Sequence, residues 1–339
     1  MTSVIRKPLR RTFLKSTAVT TAAVATGFPL IAKGAAEHTL KIATLAPEGS
    51  SWHKAFKQVA RDVKEQTDGR IVLKIYAGGV MGDEPAMVRK MRTGQLDGAA
   101  VTNVGLGEIN AQLLMLQLPL LFRSNEELDK VRGAMSSKFE GLLDASGFRL
   151  SGWGDVGFAY LFSNSPIKKP SDAKATKMWV WDSDPVSKEV MKVAGVNAIP
   201  LGVPDVLPSL QTGVIDAFMN SPYGAIALQW YTKAAYITNL KLAVTIGGSV
   251  MTTAAWNKLS DADKQILQDI AHAKHGALLK RIRKDNTKAV DALKEKGMEV
   301  VEPEDFGAWK KVADTVRTNL TGSLFDAALV EEMMGHLGR

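Results

Sequence analysis

The residues of this chain that could do chemistry are aromatic and acidic. The stretch KMWVWDSDP, residues 177–185, sets Trp179 and Trp181 two positions apart and follows them with Asp182 and Asp184. Side chains at i and i+2 of a strand point to the same face, so the two rings form either a core layer or the wall of a pocket. The two acids either cap the following helix or hold a cation, and the sequence leaves both alternatives open.

Signals for catalysis are weak. The chain has no cysteine, which removes thiol nucleophiles, disulfides and cysteine-bound metals. His272 and His275 have a helical spacing that could hold a metal, but no acid lies close on that face. GWGDVG, residues 152–157, fits G-x-G-x-x-G, yet a strand follows it where a dinucleotide site needs a helix. We predict a protein that is not an enzyme and needs no cofactor, with Trp153 and Asp155 able to face a cleft.

The N-terminus has the pattern of an export signal. Arg10 and Arg11 precede Phe13 and an Ala/Thr-rich run, which is typical of a twin-arginine (Tat) signal, with an ordinary Sec signal as the alternative. We place cleavage after Ala36 and expect a periplasmic protein. The net charge is +8, but residues 1–36 hold six basic residues and no acid, which leaves +2 for the remainder. The basic balance therefore gives no support to nucleic-acid binding.

The elements that must position these residues follow an α/β plan. A chain of 339 residues with 45% hydrophobic and 23% charged residues is typical of a soluble protein of two domains. Strands alternate with helices over residues 38–101 and again over 176–218, and MRTGQLDGA in the first half resembles LQTGVIDAF in the second. An amphipathic run over 260–296 predicts a helix of roughly 55 Å, long enough to cross two lobes.

Four stretches carry a family resemblance that covers nearly all of the chain after the signal, in order and with similar spacing. They are KIATLAPEGSSWHKAFKQVARDVKEQTDGRIVLKIYAGGVMGDE (41–84), RTGQLDGAAVT (92–102), LQLPLLF (116–122) and VPDVLPSLQTGVIDAFMNSP (203–222). The chain resembles the dicarboxylate-binding type of solute-binding protein from TRAP (tripartite ATP-independent periplasmic) transporters. The resemblance implies a two-lobed α/β periplasmic-binding-protein-like fold, with a ligand cleft between the lobes and a long helix crossing both.

The carboxylate clamp of that family is missing. The family's K-[IM]-R-V, whose Arg grips a ligand carboxylate, is KMWV here, so Trp179 takes the place of the Arg. Ser165 and Ala159 stand at two further positions where members often have Arg. Asn220 and Asn103 match the family pattern. The resemblance therefore implies an atypical member whose ligand is held in another way.

We expect the ligand contacts to come from aromatic, acidic and polar side chains: Trp179, Asn220, Trp181, Trp153, Asp155, Asn103, Ser51, Trp52, Tyr223 and Phe218. Aromatic walls suit a ligand with an apolar or ring-shaped part. Because carboxylates repel an organic anion, a Ca²⁺ or Na⁺ ion on Asp182 and Asp184 could bridge protein and ligand. Alternatively, the ligand could carry an amine caged by the tryptophans.

The resemblance implies a function in transport. After the signal (1–36), we assign 37–155 and about 247–285 to lobe I, and 156–246 and about 286–339 to lobe II. Closure of the lobes would capture a small organic acid, a carboxylate with an apolar or aromatic part, for delivery to a membrane permease. A periplasmic ligand sensor or a binder of an amine-bearing or zwitterionic solute is the alternative. We expect no nucleic-acid partner and, by the family default, a monomer.

Overall fold

The structure, a computed structural model, describes residues 36–339, so all of the predicted export signal except Ala36 lies outside it. Within the described range, no helix combines the length and the apolar character that crossing a bilayer requires. Residues 36–339 belong to one compact unit. The predicted lobe boundaries inside that unit stay a prediction.

Helices and strands alternate through most of the described chain. The strands are β1 His38–Thr44, β2 Ile71–Tyr76, β3 Gly98–Thr102, β4 Phe148–Ser163, β5 Trp179–Trp181, β6 Ile199–Leu201, β7 Ala217–Asn220, β8 Tyr236–Thr252 and β9 Glu299–Val301. The helices are α1 Ser51–Gln66, α2 Glu84–Arg92, α3 Asn103–Ile109, α4 Asn125–Ala134, α5 Ser136–Ala145, α6 Pro185–Ala194, α7 Val203–Thr212, α8 Pro222–Ala227, α9 Thr253–Trp256, α10 Asp261–Glu295, α11 Phe306–Leu320 and α12 Ala327–Leu337. The predicted α/β class is confirmed.

Two long antiparallel strands, β4 and β8, run through both halves of the molecule. The main sheet has the order β2-β1-β3-β8-β4-β7, with β9 also pairing with β8. The parallel strands β1, β2 and β3 lie beside one end of β8, whereas β7 pairs with the far end of β4 over Tyr160–Ser163. β5 and β6 form a parallel pair joined to β7 through a bridge between Met178 and Ala217. The result is two α/β lobes that share two strands.

Helix α10 also spans both lobes. It packs on α1 in the first lobe, on β4, and on α8 in the second. Its 35 residues begin after Ser260, whose hydroxyl accepts a hydrogen bond from the amide of Asp263 (3.1 Å). The predicted long crossing helix is therefore present.

The glycines of GWGDVG let α10 approach the sheet. The motif lies inside β4, a continuous strand. A Cβ on Gly152 would stand 2.5 Å from the ring of His275, and one on Gly157 would stand 2.6 Å from Nδ2 of Asn286, where φ is also +125°. Both helix side chains need that space, and Asn286 Nδ2 donates to the carbonyl of Val156 (2.8 Å). The motif therefore serves helix–sheet packing.

Candidate functional site

A cavity of about 200 Å³ lies between the lobes and is lined by side chains from both. Five aromatic residues of the described chain line it: Trp52, Phe56, Trp179, Trp181 and Trp230. α1 carries the first two, β5 the next two, and the segment after α8 the last. Within residues 36–339, no arginine or lysine belongs to this lining. Such a wall favours a ligand with an apolar or aromatic body.

Trp179 is at once a core residue and a wall residue. Only 6% of it is exposed, its Nε1 donates to the carbonyl of Leu201 (3.0 Å), and its ring lies edge-on to Trp230 with centroids 5.2 Å apart. The hydrogen bond fixes the indole because a buried N–H needs an acceptor. The hydrogen bond and the contact with Trp230 therefore fix the orientation of the ring.

Trp181 connects the two lobes across the cleft. Its Nε1 donates to Oδ2 of Asp83 (2.8 Å), and the same oxygen accepts from the amide of Val203 (3.2 Å). Asp83 caps α2 in the first lobe, whereas Trp181 and Val203 belong to the second. The amide of Ser51 likewise donates to the hydroxyl of Tyr223 (2.8 Å). These bonds hold the lobes closed around the cavity.

Asp184 acts as a helix cap. It is buried, and its Oδ1 accepts from the amides of Val186 (3.0 Å) and Ser187 (3.2 Å) and from Nε2 of Gln117 (2.6 Å). Burial raises the pKa of Asp184, although these hydrogen bonds oppose the rise. Asp182 is exposed and off the cavity wall. Among residues 36–339, no cluster of three or more histidine and carboxylate side chains could hold a metal ion.

Asp155 lines the cavity, and its carboxylate forms ion pairs with two arginines. Its Oδ1 accepts from Arg132 (2.7 Å) and its Oδ2 from Arg283 of α10 (2.8 Å), and both arginines also reach Asp129. Asp155 is 2% exposed and Arg132 is 5% exposed. The backbone carbonyl of Asp155 accepts from Nε1 of Trp52 (3.0 Å). Asp155 therefore holds α4, β4 and α10 together, and its carbonyl orients a wall ring.

Glu84 is a fully buried carboxyl group on the cavity wall. It begins α2, and its oxygens accept from the amide and hydroxyl of Thr102 (2.8 and 2.9 Å) and from the amide of Gly105 (2.7 Å). Burial outweighs these bonds and raises the pKa of Glu84 to about 8. At neutral pH this carboxyl is mostly protonated, which lowers the negative charge facing a ligand.

Neutral polar groups complete the wall. Asn220 lies on it, with Oδ1 accepting from the amide of Ser221 (2.7 Å), and the side chains of Thr245, Ser249 and His275 lie there too. Burial lowers the pKa of His275, so its ring is neutral at neutral pH. The wall can therefore offer hydroxyl and amide groups to an oxygen of a ligand.

Five of the predicted ligand contacts do not line the cavity. The rings of Phe218 and Phe162 stack in the core, Trp153 lies edge-on to Phe139, and Tyr223 packs on Trp52. Asn103 is fully buried and accepts from the amide of Ile246 (2.8 Å), and the hydroxyl of Ser51 donates to Asp285 (2.7 Å). These five residues pack behind the wall residues or connect the two lobes, and they therefore do not border the cavity.

Sequence reasoning missed several wall residues. Phe56 lies on α1, and nothing in the local sequence distinguishes it from the apolar residues of that helix that do not line the cavity. Trp230, Glu84, Gln117 and His275 reach the wall from segments far apart in sequence. Only the tertiary fold brings them together, so no spacing could have indicated them.

Two lobes closed over an interior cavity define a solute-binding protein, and the comparisons agree. The family model DctP, described as bacterial extracellular solute-binding protein, family 7, matches residues 42–321. The chain belongs to this family of TRAP-transporter binding proteins, which confirms the resemblance and the predicted fold. The members are periplasmic, which agrees with the coarse prediction of export.

Known relatives cover most of the chain. Solute-binding protein RD1_1052 of Roseobacter denitrificans is 27% identical over 299 residues, 85% of this chain and 88% of that protein. The 2,3-diketo-L-gulonate-binding periplasmic protein YiaO of Escherichia coli is 25% identical over 273 residues, 78% and 81% of the two chains. A crystal structure of a TRAP periplasmic solute-binding protein from Citrobacter koseri with bound D-glucuronate matches with a TM-score of 0.80 and 26% identity, covering 88% of this chain and 99% of that one.

Proposed function

We propose that this protein captures a small organic acid with an apolar or aromatic part and delivers it to the membrane permease of a TRAP transporter. The observation that carries the proposal is the closed cavity with five aromatic rings and, in the described chain, no arginine or lysine on its wall. The relatives' named ligands, 2,3-diketo-L-gulonate and D-glucuronate, support the acid class. The aromatic wall supports a less polar body than those sugar acids have.

Ligand binding would favour closure of the two lobes. A ligand that touches both Trp179 on β5 and Trp52 on α1 stabilises the closed form, because only that form offers both surfaces. The hydrogen bond from Trp181 to Asp83 adds to the same equilibrium. The permease would then recognise the closed form.

The export route, the oligomeric state and the fate of the ligand are also proposals. We infer that residues 1–36 direct export through the Tat pathway, that the mature chain acts as a monomer, and that it releases its ligand chemically unchanged. Replacing Arg10 and Arg11 together by lysine should block export if the signal is of the Tat type. Export that continues unchanged would indicate the Sec pathway.

An amine-bearing ligand is the second candidate, because the carboxyl groups of Glu84, Asp155 and Asp184 all belong to the cavity wall. Their environments weaken this candidate. Asp155 is neutralised by two arginines, Glu84 is mostly protonated at neutral pH, and the oxygens of Asp184 already accept from the protein. The organic acid therefore remains the first proposal.

A ligand screen with a matched pair of variants tests the proposal. Thermal shift should show stabilisation of the mature protein by organic acids with an apolar or aromatic body, with sugar acids and aromatic amines as comparison sets. Trp179→Leu should then weaken binding of the best acid at least tenfold. Trp309→Leu is the control, because Trp309 is equally buried (5% exposed) and its Nε1 also donates to a carbonyl (Lys168, 3.1 Å), but it lies off the cavity.

The two variants should lose similar stability, and only Trp179→Leu should lose affinity. Equal affinity in both variants would assign Trp179 to the core alone. Stabilisation by amines and by no acid would replace the first proposal with the second. Stabilisation by neither group would reject both.

A further inference from the structure

A second chamber of about 320 Å³ lies inside the first lobe, beside the cleft cavity. It separates the sheet from the helices that cover it: β1, β2 and β3 form its floor together with β4 and β8, and α1 and α10 form its roof. Protein interiors normally leave few voids larger than a water molecule. An apolar cavity of about 150 Å³ is already large enough to bind benzene. This chamber is therefore of ligand size.

The chamber has the opposite charge character to the cleft cavity. Within residues 36–339, Arg149 is the only arginine or lysine in its lining, and the lining contains no aspartate or glutamate. The guanidinium of Arg149 lies over the ring of Trp256, 5.3 Å from the centroid, and forms no ion pair within residues 36–339. A half-buried guanidinium that forms no ion pair can bind an organic anion through two parallel hydrogen bonds.

The two chambers adjoin. Phe56, Ala100, Ser249 and His275 belong to the lining of both. His275 is fixed there, because its Nδ1 donates to the carbonyl of Ala271 (2.7 Å) and its Nε2 can then accept from the hydroxyl of Ser249 (2.9 Å). In this tautomer the ring is neutral and apolar on its faces, so an apolar chain can lie against it.

We propose that the two chambers form one elongated site for a monocarboxylate with an extended apolar chain, whose carboxylate pairs with Arg149 while its chain passes His275 toward the tryptophans of the cleft. This inference rests on the proposed function and names its ligand class. It gives the ligand carboxylate a cationic partner, which the part of the cleft lining within residues 36–339 does not supply. The exposed residues Gln268 and His272, which also line the second chamber, mark where it meets solvent.

Isothermal titration calorimetry with two ladders of probes tests the assignment. The probes are straight-chain carboxylates from butanoate to dodecanoate and the primary amides of the same lengths, each titrated into the full mature chain. Affinity should rise about fourfold per added CH₂ while the chain still finds apolar wall, and then level off. The carboxylate should bind at least tenfold more tightly than the amide of equal length.

Two variants separate charge from shape. Arg149→Met keeps an apolar side chain of similar length and should remove the preference for carboxylate over amide, whereas Arg149→Lys should retain part of it. Arg61→Met is the control, because Arg61 is exposed on α1, donates a hydrogen bond to Gln58 (3.4 Å) and does not line the chamber. Ala271→Leu narrows the chamber from its roof and should weaken the long probes while leaving the short ones unchanged.

The outcomes distinguish this inference from the function on which it rests. If acids bind but Arg149→Met keeps the full carboxylate preference, the second chamber is not part of the site, and the proposed function stands. An unchanged chain-length profile in Ala271→Leu would overturn the elongated site in the same way. If no organic acid of any length or shape binds, the proposed function falls, and this inference falls with it.

Discussion

Glu84 should make the stability of the protein fall as the pH rises from acid to neutral values. The pKa of Glu84 is about 8 in the folded protein, against an ordinary value of 4.5. Between those two values the folded state binds the proton that the unfolded chain has already released, so raising the pH favours unfolding. The contribution of Glu84 is fully present below pH 4.5, is lost progressively up to about pH 8, and is constant above.

The size of the effect follows from the shift. A difference of 3.5 pKa units corresponds to about 5 kcal/mol in total, of which about 3 kcal/mol is lost between pH 6 and pH 9. For a chain of this length the entropy of unfolding is about 0.6–0.7 kcal/mol/K, so this loss lowers Tm by about 4 °C. The pKa of Glu84 is raised because its carboxyl group is buried. Three hydrogen bonds from Thr102 and Gly105 to this carboxyl offset the effect of burial only in part.

The measurement compares Glu84→Gln with the wild type in thermal melts at pH 6, 7.5 and 9. Glutamine does not titrate, so the difference in Tm between the two proteins should change by about 4 °C across this range, and other titrating groups cancel in the difference. Glu140→Gln is the control, because Glu140 is exposed on α5 and should track the wild type. Parallel curves for Glu84→Gln and wild type would show that Glu84 is ionised throughout, held by its three donors and by the start of α2.

For three further substitutions, the observed contacts predict whether stability or affinity falls. Asp155→Asn should lower stability by about 3 kcal/mol, or about 4 °C in Tm, because it leaves the buried Arg132 without its full counter-charge. A loss below 1 °C would contradict this. Trp181→Phe removes the hydrogen bond to Asp83 across the cleft and should weaken ligand binding about fivefold. Small-angle scattering without ligand should then show a more open form. Unchanged affinity and shape would show that this bond does not favour closure. Gly157→Ala should cost about 2 kcal/mol in denaturant unfolding, because φ is +125° and the added methyl meets a side-chain amide of α10; wild-type stability would refute the close-packing role of the motif.

The parts of the fold that depend on neighbouring residues could be predicted from the sequence. Ser50 and Ser260 cap the helices that the pattern predicted, and Gly195 and Gly213 end α6 and α7 in the left-handed conformation. The capping alternative for Asp184 describes what the structure has there. Each of these features is decided within a few residues, so the local sequence contains the necessary information.

The site depends on contacts that the local sequence does not contain. Asp155 pairs with Arg283, 128 residues further on, and this pairing makes it a structural anchor as well as a wall residue. Trp153, two positions earlier, supports the core, whereas Trp52 reaches the wall. Alternation along a strand indicates which side chains share a face, but it cannot say which face borders the cleft. Only the packing of α1 and α10 on the sheet decides that.

The positions of the positive charges explain both the missing arginine at position 179 and the proposed role of the second chamber. A guanidinium at position 179 would stand beside the rings of Trp181 and Trp230, where it would have to be desolvated. Trp179 fills that place with an apolar surface, and the only arginine that borders either chamber without an ion pair in the described chain is Arg149. A ligand with its charge at one end and its apolar part at the other matches this separation, whereas a compact dicarboxylate does not. Binding should therefore depend on the length of the ligand as well as on its charge, which is the property that the two probe ladders measure.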